Sequence, residues 1–320
     1  MAGTDYVFDV SAGGFARAVS RSLDERGFAV LRGLFTPETV AEVMGSVRRF
    51  SQNPALAGVP GYCKVDHPKR LISPYSVGGA AVDMILDERV IDLIEDHMKS
   101  ECVLAEANVK IDEGVGYVYF PMHADFSIGW RKGTNSDFEL TREQLEQPIG
   151  IGGAIYLEDT TEGAFCYCEG THKMLAPRGP NIDTYPADER RAVLGKMVRI
   201  DGKAGDFVIF DDRGFHGPDQ PSRARRTVIL VDYYRVDTFG HTLVSPVAVW
   251  SSDIGRLSKK QLRVLGVGAG AMVEPDAYMS TRFRRNPVYG VARLLVQNAY
   301  LWPHFKNKLR SKLTRRGHRQ

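Results

Sequence analysis

A succession of short β-rich segments separated by turn residues constrains the fold of this chain more than any other feature. Between residues 102 and 235 the sequence reads CVLAEANVKID, GVGYVYFPMHAD, GIGGAIYLED, GAFCYCEG, GDFVIFDD and RRTVILVDYYRV. Each run is rich in Val, Ile, Tyr and Phe, and Gly, Asp or Pro residues separate it from the next run. Many short strands of this kind are typical of a sandwich or jelly roll. The sequence therefore predicts a mainly β fold with flanking helices, a double-stranded β-helix of the cupin-like jelly-roll type.

Helical patterns precede these strands. The segment FARAVSRSL has apolar residues at helical spacing, and the β-rich segment GFAVLRGLF follows it. Thr36 and Pro37 then provide an N-cap and a first helical residue for another helix. The strongly periodic segment VDMILDERVIDLIEDHM predicts one continuous helix over residues 82–98.

The remaining segments define the predicted domain organisation. Residues 51–80 are rich in Pro and Gly, which predicts a loop with little regular structure. Residues 137–147 and 186–195 are predicted to be helical or irregular insertions between strands. We predict one jelly-roll domain with N-terminal helices over residues 1–240. A basic, helical extension over residues 241–320 is expected to pack on this domain or to trail from it.

Composition narrows the class of protein. The chain has 320 residues, of which 43% are hydrophobic and 25% are charged, as in ordinary globular proteins. No segment approaches the roughly 18 consecutive apolar residues of a spanning helix, and the acidic N-terminus predicts no signal peptide. Without an export signal, we expect a cytoplasmic protein whose four cysteines are reduced thiols: Cys63, Cys102, Cys166 and Cys168.

Charge is distributed unevenly along the chain. Residues 277–320 contain eleven of the 42 Lys and Arg residues and no Asp or Glu, so the rest of the chain is net acidic. Phe305, Leu309 and Leu313 recur every four residues within this basic segment. A helix packed on the domain with a solvated basic end is the simpler interpretation. The alternative is peripheral contact with an anionic membrane, at its inner face, or with a polyanion. No recognised nucleic-acid-binding module is present, so no nucleic-acid partner is expected.

The segment FPMHADFS contains a histidine and an aspartate two positions apart. At the end of a strand, His123 and Asp125 can share one side, and a second histidine from a distant strand can complete one face of an octahedron. His216 in GDFVIFDDRGFHGP is the candidate, because it follows a strong strand and lies in a turn bounded by glycines. A histidine and an aspartate at this spacing also occur by chance, as a polar pair in a turn. The three residues therefore predict a non-haem iron site. The alternative is that His123 and Asp125 are only a polar pair in a turn.

An arginine cluster follows His216 at the start of an apolar strand. A dicarboxylic 2-oxoacid that chelates iron through one end needs a fixed cation for its far carboxylate. The planar guanidinium of arginine binds a carboxylate through two hydrogen bonds and stays charged when it is buried. Arg225 offers this group and Thr227 lies on the same strand face, whereas Arg226 lies on the opposite face. The alternative for one of the two arginines is a solvent-exposed position at the start of the strand, with no role in binding.

These segments together resemble the phytanoyl-CoA dioxygenase family of Fe(II)/2-oxoglutarate-dependent oxygenases. The likeness extends in order over residues 26–235 through RGFAVLRGLFTPETV, MHAD, YLEDTTEGAFCYCEGTHK, GDFVIFDDRGFHGP and RARRTVILVDYY. It implies that the iron ligands are His123, Asp125 and His216.

The same resemblance suggests where the co-substrate and the substrate bind. It places the 2-oxoglutarate arginine at Arg225, with Arg226 as the alternative because the loop after His216 is shorter than is usual in the family. Trp130 and Lys110 occupy places where the family often has pocket residues.

The resemblance implies a dioxygenase that uses Fe(II), 2-oxoglutarate and O₂. The family includes halogenases, in which a small residue replaces the carboxylate ligand, so the presence of Asp125 favours hydroxylation. We expect hydroxylation of a small molecule or biosynthetic intermediate, with succinate and CO₂ as co-products. Two alternatives remain at this point: a catalytically silent jelly-roll protein that binds a ligand, and a cupin-like metal enzyme that does not use 2-oxoglutarate.

Overall fold

The computed structural model describes residues 5–52, 63–66, 69–72, 79–114, 116, 121–131, 138–240, 248–266 and 272–274. In this part of the chain the helices are α1 (Phe15–Arg26), α2 (Pro37–Gln52), α3 (Gly79–Ile85), α4 (Glu88–Met98), α5 (Arg142–Leu145), α6 (Ala187–Leu194), α7 (Val236–Phe239), α8 (Ser251–Arg256) and α9 (Lys259–Val264). The strands are β1 (Val7–Asp9), β2 (Phe28–Arg32), β3 (Cys63–Asp66), β4 (Lys69–Ile72), β5 (Cys102–Asp112), β6 (Gly150–Tyr156), β7 (Thr160–Cys168), β8 (Met197–Gly202), β9 (Phe207–Asp211), β10 (His216–Pro218), β11 (Arg226–Arg235), β12 (Ala248–Trp250) and β13 (Met272–Glu274).

Two sheets share one hydrophobic core. The larger sheet has eight strands in the order β1-β2-β9-β6-β11-β5-β4-β3, and the smaller has three in the order β10-β7-β8. β12 and β13 form a separate two-stranded sheet. The core contains side chains from both of the main sheets, including Phe28, Val208, Phe165 and Ile200. The sequence-based prediction of a mainly β fold with flanking helices is therefore confirmed.

Tyr156 joins the two sheets at the centre of this core. Its fully buried hydroxyl donates a hydrogen bond to the carbonyl oxygen of Ile200, at 2.9 Å, and accepts one from the amide of Phe165, also at 2.9 Å. Both of these partners belong to the smaller sheet, whereas Tyr156 ends β6 in the larger one. A buried phenol needs such partners, since an unpaired polar group in a core is costly.

β6 is rich in glycine because large side chains approach it closely. A Cβ at Gly152 would overlap Phe210 and Asp212, and one at Gly153 would overlap Phe207. All seven residues of the strand are buried. The sequence GIGGAIY is therefore explained by packing on both faces of a central strand.

The structure agrees with some of the predicted helices and corrects another. α2 begins at Pro37, and Thr36 accepts a hydrogen bond from the amide of Thr39 at 3.3 Å, as expected for an N-cap. The single helix predicted over 82–98 is wrong, because two helices, α3 and α4, occupy this region. Asp87 separates them and caps α4 by accepting a hydrogen bond from the amide of Arg89 at 3.0 Å. An aspartate side chain competes for backbone amides in this way, so it favours a new helix start over continuation.

One other prediction is corrected, whereas the two predicted insertions agree with the structure. The predicted loop over residues 51–80 contains β3 and β4, which form an antiparallel pair and extend the large sheet beyond β5. The insertion at 186–195 is helical as α6, whereas only the four residues of α5 are helical in 137–147. Cys166 and Cys168 are buried in β7, and burial raises the pKa of each thiol to about 12, so both pack as small apolar residues.

The chain divides into two compact units. One comprises Met1–Val249 with Arg256–Met272, and the other comprises Trp250–Gly255 with Val273–Gln320. The domain boundary near residue 240 stays a prediction. The predicted basic helix with Phe305, Leu309 and Leu313 lies outside the described residues. None of the helices described above has both the length and the apolar character that crossing a bilayer requires.

Candidate metal centre

The backbone brings the two candidate histidines side by side. The amide of His123 donates to the carbonyl oxygen of His216 at 3.0 Å, and the amide of His216 donates back to that of His123 at 2.7 Å. Two residues later, the amide of Asp125 donates to the carbonyl oxygen of Asp212 at 2.9 Å. The segment with His123 and Asp125 is therefore fixed against the segment that enters β10. Their side chains leave this segment on one side, since Nε2 of His123 lies 3.4 Å from Oδ1 of Asp125.

The donor atoms of the triad converge on one point. The Nε2 atom of His123 lies 3.4 Å from Oδ1 of Asp125, and Nε2 of His216 lies 3.4 Å from Oδ2 of the same carboxylate. The candidate ligand atoms of all three residues lie within 4.8 Å of one another. Two imidazoles and one carboxylate with this arrangement suit a divalent metal of the non-haem iron type.

Backbone carbonyls determine which nitrogen of each histidine faces the carboxylate. Nδ1 of His123 lies 3.1 Å from the carbonyl oxygen of Pro121, and Nδ1 of His216 lies 3.0 Å from that of Gly214. A carbonyl oxygen only accepts hydrogen bonds, so each Nδ1 must carry the proton. Each Nε2 then presents its lone pair to the centre of the triad, as metal ligation requires. The residues present therefore fit a metal ion.

Electrostatics favour the ligand forms of these groups at neutral pH. Burial lowers the pKa of His216 to about 4, so its imidazole is neutral. Burial alone would raise the pKa of Asp125, but the neighbouring His216 and His123 bring it below its usual value. An ionised carboxylate and a neutral imidazole are the forms that bind a metal.

The triad lines a cavity of about 290 Å³. Its floor is formed by alternate residues of β11 and β5, because successive side chains of a strand point to opposite faces. The cavity has a basic end, with Arg226 and Lys110, and an acidic end, with Asp232 and Glu106. Phe165, Phe210 and Tyr156 supply aromatic walls. A concave, partly apolar site with a few charged groups is typical of small-molecule binding.

The structure separates the three residues proposed for the co-substrate. Arg226 is 6% exposed and lines the cavity, where its guanidinium donates a hydrogen bond to the carbonyl oxygen of Gly163. The Nε atom of Arg226 is buried and has no hydrogen-bond partner within the described part of the chain. Arg225 has a half-exposed side chain with its Nε 3.6 Å from a carboxylate oxygen of Glu113. Neither Arg225 nor Thr227 is among the described residues that line the cavity, so the structure brings only Arg226 to it.

Trp130 lies in an aromatic cluster and not among the described residues that line the cavity. Its ring meets that of Phe126 edge to face, with centroids 5.2 Å apart, and that of Phe239 at 5.8 Å. Phe138 completes this contact at 6.5 Å. These contacts assign Trp130 a packing role in this structure, whereas Lys110 does reach the cavity wall.

Sequence reasoning missed a carboxylate cluster beside the triad. Oxygens of Asp212 and Asp232 lie within 4.8 Å of each other and of Asp125. Burial, then Asp232 and Asp125, raises the pKa of Asp212 well above its usual value. Burial, then Asp125 and Glu106, does the same for Asp232. The available signal was Asp232 in the apolar run TVILVDYY, at an even spacing from Arg226 and therefore on the same strand face.

Comparisons with known proteins find a family model and two relatives that match this chain. The family model described as phytanoyl-CoA dioxygenase (PhyH) matches residues 23–227. An ectoine dioxygenase of Nocardia farcinica is 21% identical over 252 residues, which cover 71% of this chain and 79% of that protein. An ectoine dioxygenase of Streptomyces coelicolor is 24% identical over 251 residues, with the same two shares covered.

Solved structures share the fold. EctD from S. alaskensis with bound Fe superposes with a TM-score of 0.54 at 16% identity, covering 80% of this chain and 86% of that chain. The same enzyme with 2-oxoglutarate and 5-hydroxyectoine gives a TM-score of 0.53, covering 68% and 76% of the two chains. These similarities confirm the predicted jelly-roll fold, although the two main sheets do not close into a barrel.

Proposed function

Because the chain belongs to the phytanoyl-CoA dioxygenase family of Fe(II)/2-oxoglutarate-dependent oxygenases, we propose that His123, Asp125 and His216 hold its iron. The enzyme is a dioxygenase that depends on Fe(II), 2-oxoglutarate and O₂ and acts on a small molecule. The observation that supports this ligand assignment is the convergence of two Nε2 atoms on one carboxylate while both Nδ1 atoms are held by carbonyl oxygens. When bound, Fe(II) supplies the activation of O₂ that is coupled to the decarboxylation of 2-oxoglutarate to succinate and CO₂.

We assign the distal carboxylate of 2-oxoglutarate to Arg226 in place of Arg225. Arg226 is buried at the basic end of the cavity, and a guanidinium keeps its charge in such surroundings. A bidentate contact with a carboxylate would also give its unpartnered Nε an acceptor. Arg225 already lies near Glu113 and is half exposed.

Hydroxylation is the reaction that we propose. Asp125 retains the carboxylate ligand that halogenases of this family lack, and its carboxylate faces both imidazoles. Phe165, Phe210 and Tyr156 line the cavity beside the triad and offer an apolar surface to the substrate.

A spectroscopic experiment tests the iron and co-substrate assignments together. Fe(II) and 2-oxoglutarate added anaerobically to the wild type are expected to give a visible metal-to-ligand charge-transfer band. His123→Ala is expected to remove the band, because only two ligands of the triad remain. Absence of the band in the wild type, together with no iron uptake by metal analysis, would overturn the proposal and favour a catalytically silent binding protein.

Arg226, the first residue of β11, and Arg225, which precedes it, provide a matched pair for the co-substrate site. Arg226→Lys keeps the charge but loses the planar pair of donors, so the Kd for 2-oxoglutarate is expected to rise at least tenfold. Arg225→Lys is expected to leave this Kd unchanged. The assignment fails if the effects of the two substitutions are reversed when the band is titrated with 2-oxoglutarate.

We further propose a cytoplasmic enzyme whose basic segment, residues 277–320, contacts an anionic membrane surface. The support is the segment's eleven basic residues and absence of acidic ones. Deletion of residues 303–320 is expected to abolish co-sedimentation with phosphatidylserine vesicles and to leave the charge-transfer band unchanged. Equal sedimentation of the full and truncated chains would refute this contact.

A further inference from the structure

The turn that follows β7 contains a buried threonine. Thr171 begins a short 3-10 helix (Thr171–Met174), and none of its surface is exposed. Its hydroxyl donates a hydrogen bond to the carbonyl oxygen of Cys168 at 2.6 Å. Because its only proton is used there, the same hydroxyl accepts a hydrogen bond from the amide of Phe215, at 2.9 Å. Phe215 directly precedes His216, so Thr171 holds the segment that carries a candidate metal ligand.

The amide of Phe215 and the carbonyl of Gly214 belong to one peptide group. The carbonyl oxygen of this group lies 3.0 Å from Nδ1 of His216. A trans peptide group is planar, so its N–H and its C=O point in fixed, opposite directions. The hydrogen bond from the N–H to Thr171 therefore also sets the direction in which the C=O points. The hydroxyl of Thr171 is linked in this way, through one rigid group, to the imidazole of His216.

Packing around Gly214 leaves this peptide group little room to move. A Cβ at Gly214 would overlap the hydroxyl of Tyr167 and would lie 3.1 Å from the backbone nitrogen of His172. The carbonyl oxygen of Phe215 accepts a hydrogen bond from the amide of Cys168 at 2.8 Å. Both backbone polar groups of Phe215 are thus held by the chain that ends β7, and Thr171 supplies one of the two contacts.

Loss of the Thr171 hydroxyl would leave the amide of Phe215 as a buried donor without its partner. Phe215 itself has no exposed surface, and an unpaired N–H in such surroundings is costly. The peptide group would then rotate toward another acceptor and carry the carbonyl of Gly214 away from Nδ1 of His216. An imidazole that lacks this acceptor can turn, or can carry its proton on Nε2 instead. Nε2 is the atom that would bind the metal.

We propose that Thr171 is a positioning residue of the metal centre, which holds the peptide group between Gly214 and Phe215 so that Nε2 of His216 stays free for the ion. This inference rests on the proposed function, because it takes His216 as an iron ligand. Removal of groups that orient ligating histidines typically weakens metal binding by about 10–100-fold. Thr171 acts one step farther out, through a peptide group, so an effect of about tenfold is expected.

Titration of the metal-free protein with Mn²⁺ tests the proposal, with the free ion measured by electron paramagnetic resonance. Thr171→Val keeps the shape of the side chain and removes the hydroxyl, so the Kd for Mn²⁺ is expected to rise about tenfold. Thr171→Ser keeps the hydroxyl and is expected to retain the Kd of the wild type. His123→Ala should lose the binding, which identifies the triad as the site of the measured ion.

The same substitution at the start of β7 separates positioning from a general loss of stability. Thr160 is also buried, and its hydroxyl donates a hydrogen bond to the carbonyl oxygen of Glu158 at 3.0 Å. It is not among the described residues that line the cavity. Thr160→Val is expected to lower the thermal midpoint and to leave the Kd for Mn²⁺ unchanged, since both proteins are folded during the titration. Equal rises in Kd for Thr160→Val and Thr171→Val would overturn the proposal.

Failure of this inference differs from failure of the proposed function. A wild type that binds no Mn²⁺ would reject the iron site itself, and the role of Thr171 with it. Binding by the wild type that Thr171→Val leaves unchanged, or that Thr171→Ser weakens just as strongly, overturns only the positioning role. If Thr171→Val does not fold, Thr171→Cys takes its place with the same outcomes. A thiol is a weak donor and a weak acceptor, and the Cys and Ser variants differ by one atom.

Discussion

Asp211 and Arg213 form a buried ion pair close to the chain segment that reaches His216. Nε of Arg213 donates to Oδ1 of Asp211 at 2.9 Å, and the same guanidinium donates to the carbonyl oxygen of Leu145 at 2.6 Å. Both side chains of the pair are almost fully buried. Burial would raise the pKa of Asp211, but Arg213 brings it below its usual value. The pair therefore depends on an ionised Asp211.

Asp211→Asn leaves the Arg213 charge buried without its partner. We expect a loss of about 3–5 kcal/mol in the free energy of unfolding at pH 7, which urea denaturation measures. Because the folded pKa of Asp211 is depressed, its contribution is complete above the unfolded value of about 4 and disappears as the pH falls through the folded value. The difference between wild type and variant should therefore shrink at acidic pH. A difference that stays constant would contradict this account, and Asp201→Asn, in an exposed pair with Arg199, should cost less than about 1 kcal/mol.

The sequence predicts which residues form the candidate site better than it predicts the face of a strand to which their side chains point. The structure brings His123, Asp125 and His216 together, as their residue types and spacing predict for one metal geometry, and their role as ligands stays a proposal. The choice between Arg225 and Arg226 was not, because a shift of one residue moves a strand side chain to the other face. Which face of β11 points into the cavity depends on its pairing with β5 and β6, and this pairing cannot be read from the sequence of β11 alone.

Among the elements, β6 is the one whose residues are most restricted in size, because neighbouring side chains fill the space beside its glycines. Its glycines admit Phe207 from one face and Phe210 with Asp212 from the other. The carboxylate cluster thus depends on a strand that contributes no charge of its own.

Gly152→Ala would push a methyl group into Phe210 and Asp212. Overpacking of this kind typically costs about 1–3 kcal/mol, which chemical denaturation would detect. Gly45→Ala in α2 is the control, since its nearest neighbour, Arg49, lies at an ordinary 3.5 Å. That substitution is expected to be neutral or stabilising by about 1 kcal/mol; equal losses at both sites would argue against the packing explanation.

The types of the elements followed from local patterns, whereas one helix boundary and one edge hairpin did not. The periodic segment 82–98 is helical, but its interruption depends on Asp87 capping α4. The hairpin of β3 and β4 was missed because its stability comes from pairing with β5 and not from its own residues. Short strands at a sheet edge have little intrinsic preference to detect.

At the scale of the whole molecule, the two sheets combine to give a cavity with opposite charges at its ends. β11 and β5 contribute to both ends, and the candidate triad comes from β10 and from the segment that pairs with its first residue. The jelly-roll class was predictable from the succession of strands. The charge separation was not, because it depends on which side chains of paired strands face inward.

A metal that binds only the folded triad stabilises the whole protein through mass action. Each tenfold excess of free Mn²⁺ over its Kd should add about 1.4 kcal/mol to the free energy of unfolding. The thermal midpoint measured by calorimetry is therefore expected to rise with Mn²⁺ in the wild type. His123→Ala should show little or no rise, and a similar rise in both proteins would place the stabilising ion elsewhere.

The reciprocal backbone hydrogen bonds between His123 and His216 connect metal binding to the stability of the protein in the cell. Two histidines held on neighbouring backbones cannot separate without opening the junction between the segments that carry them. On the proposed iron assignment, loss of the ion and local unfolding are therefore linked equilibria. Proteases act on chains that open in this way. The iron supply of the cell would then control the lifetime of the enzyme as well as its activity, and starvation for iron would remove the idle protein.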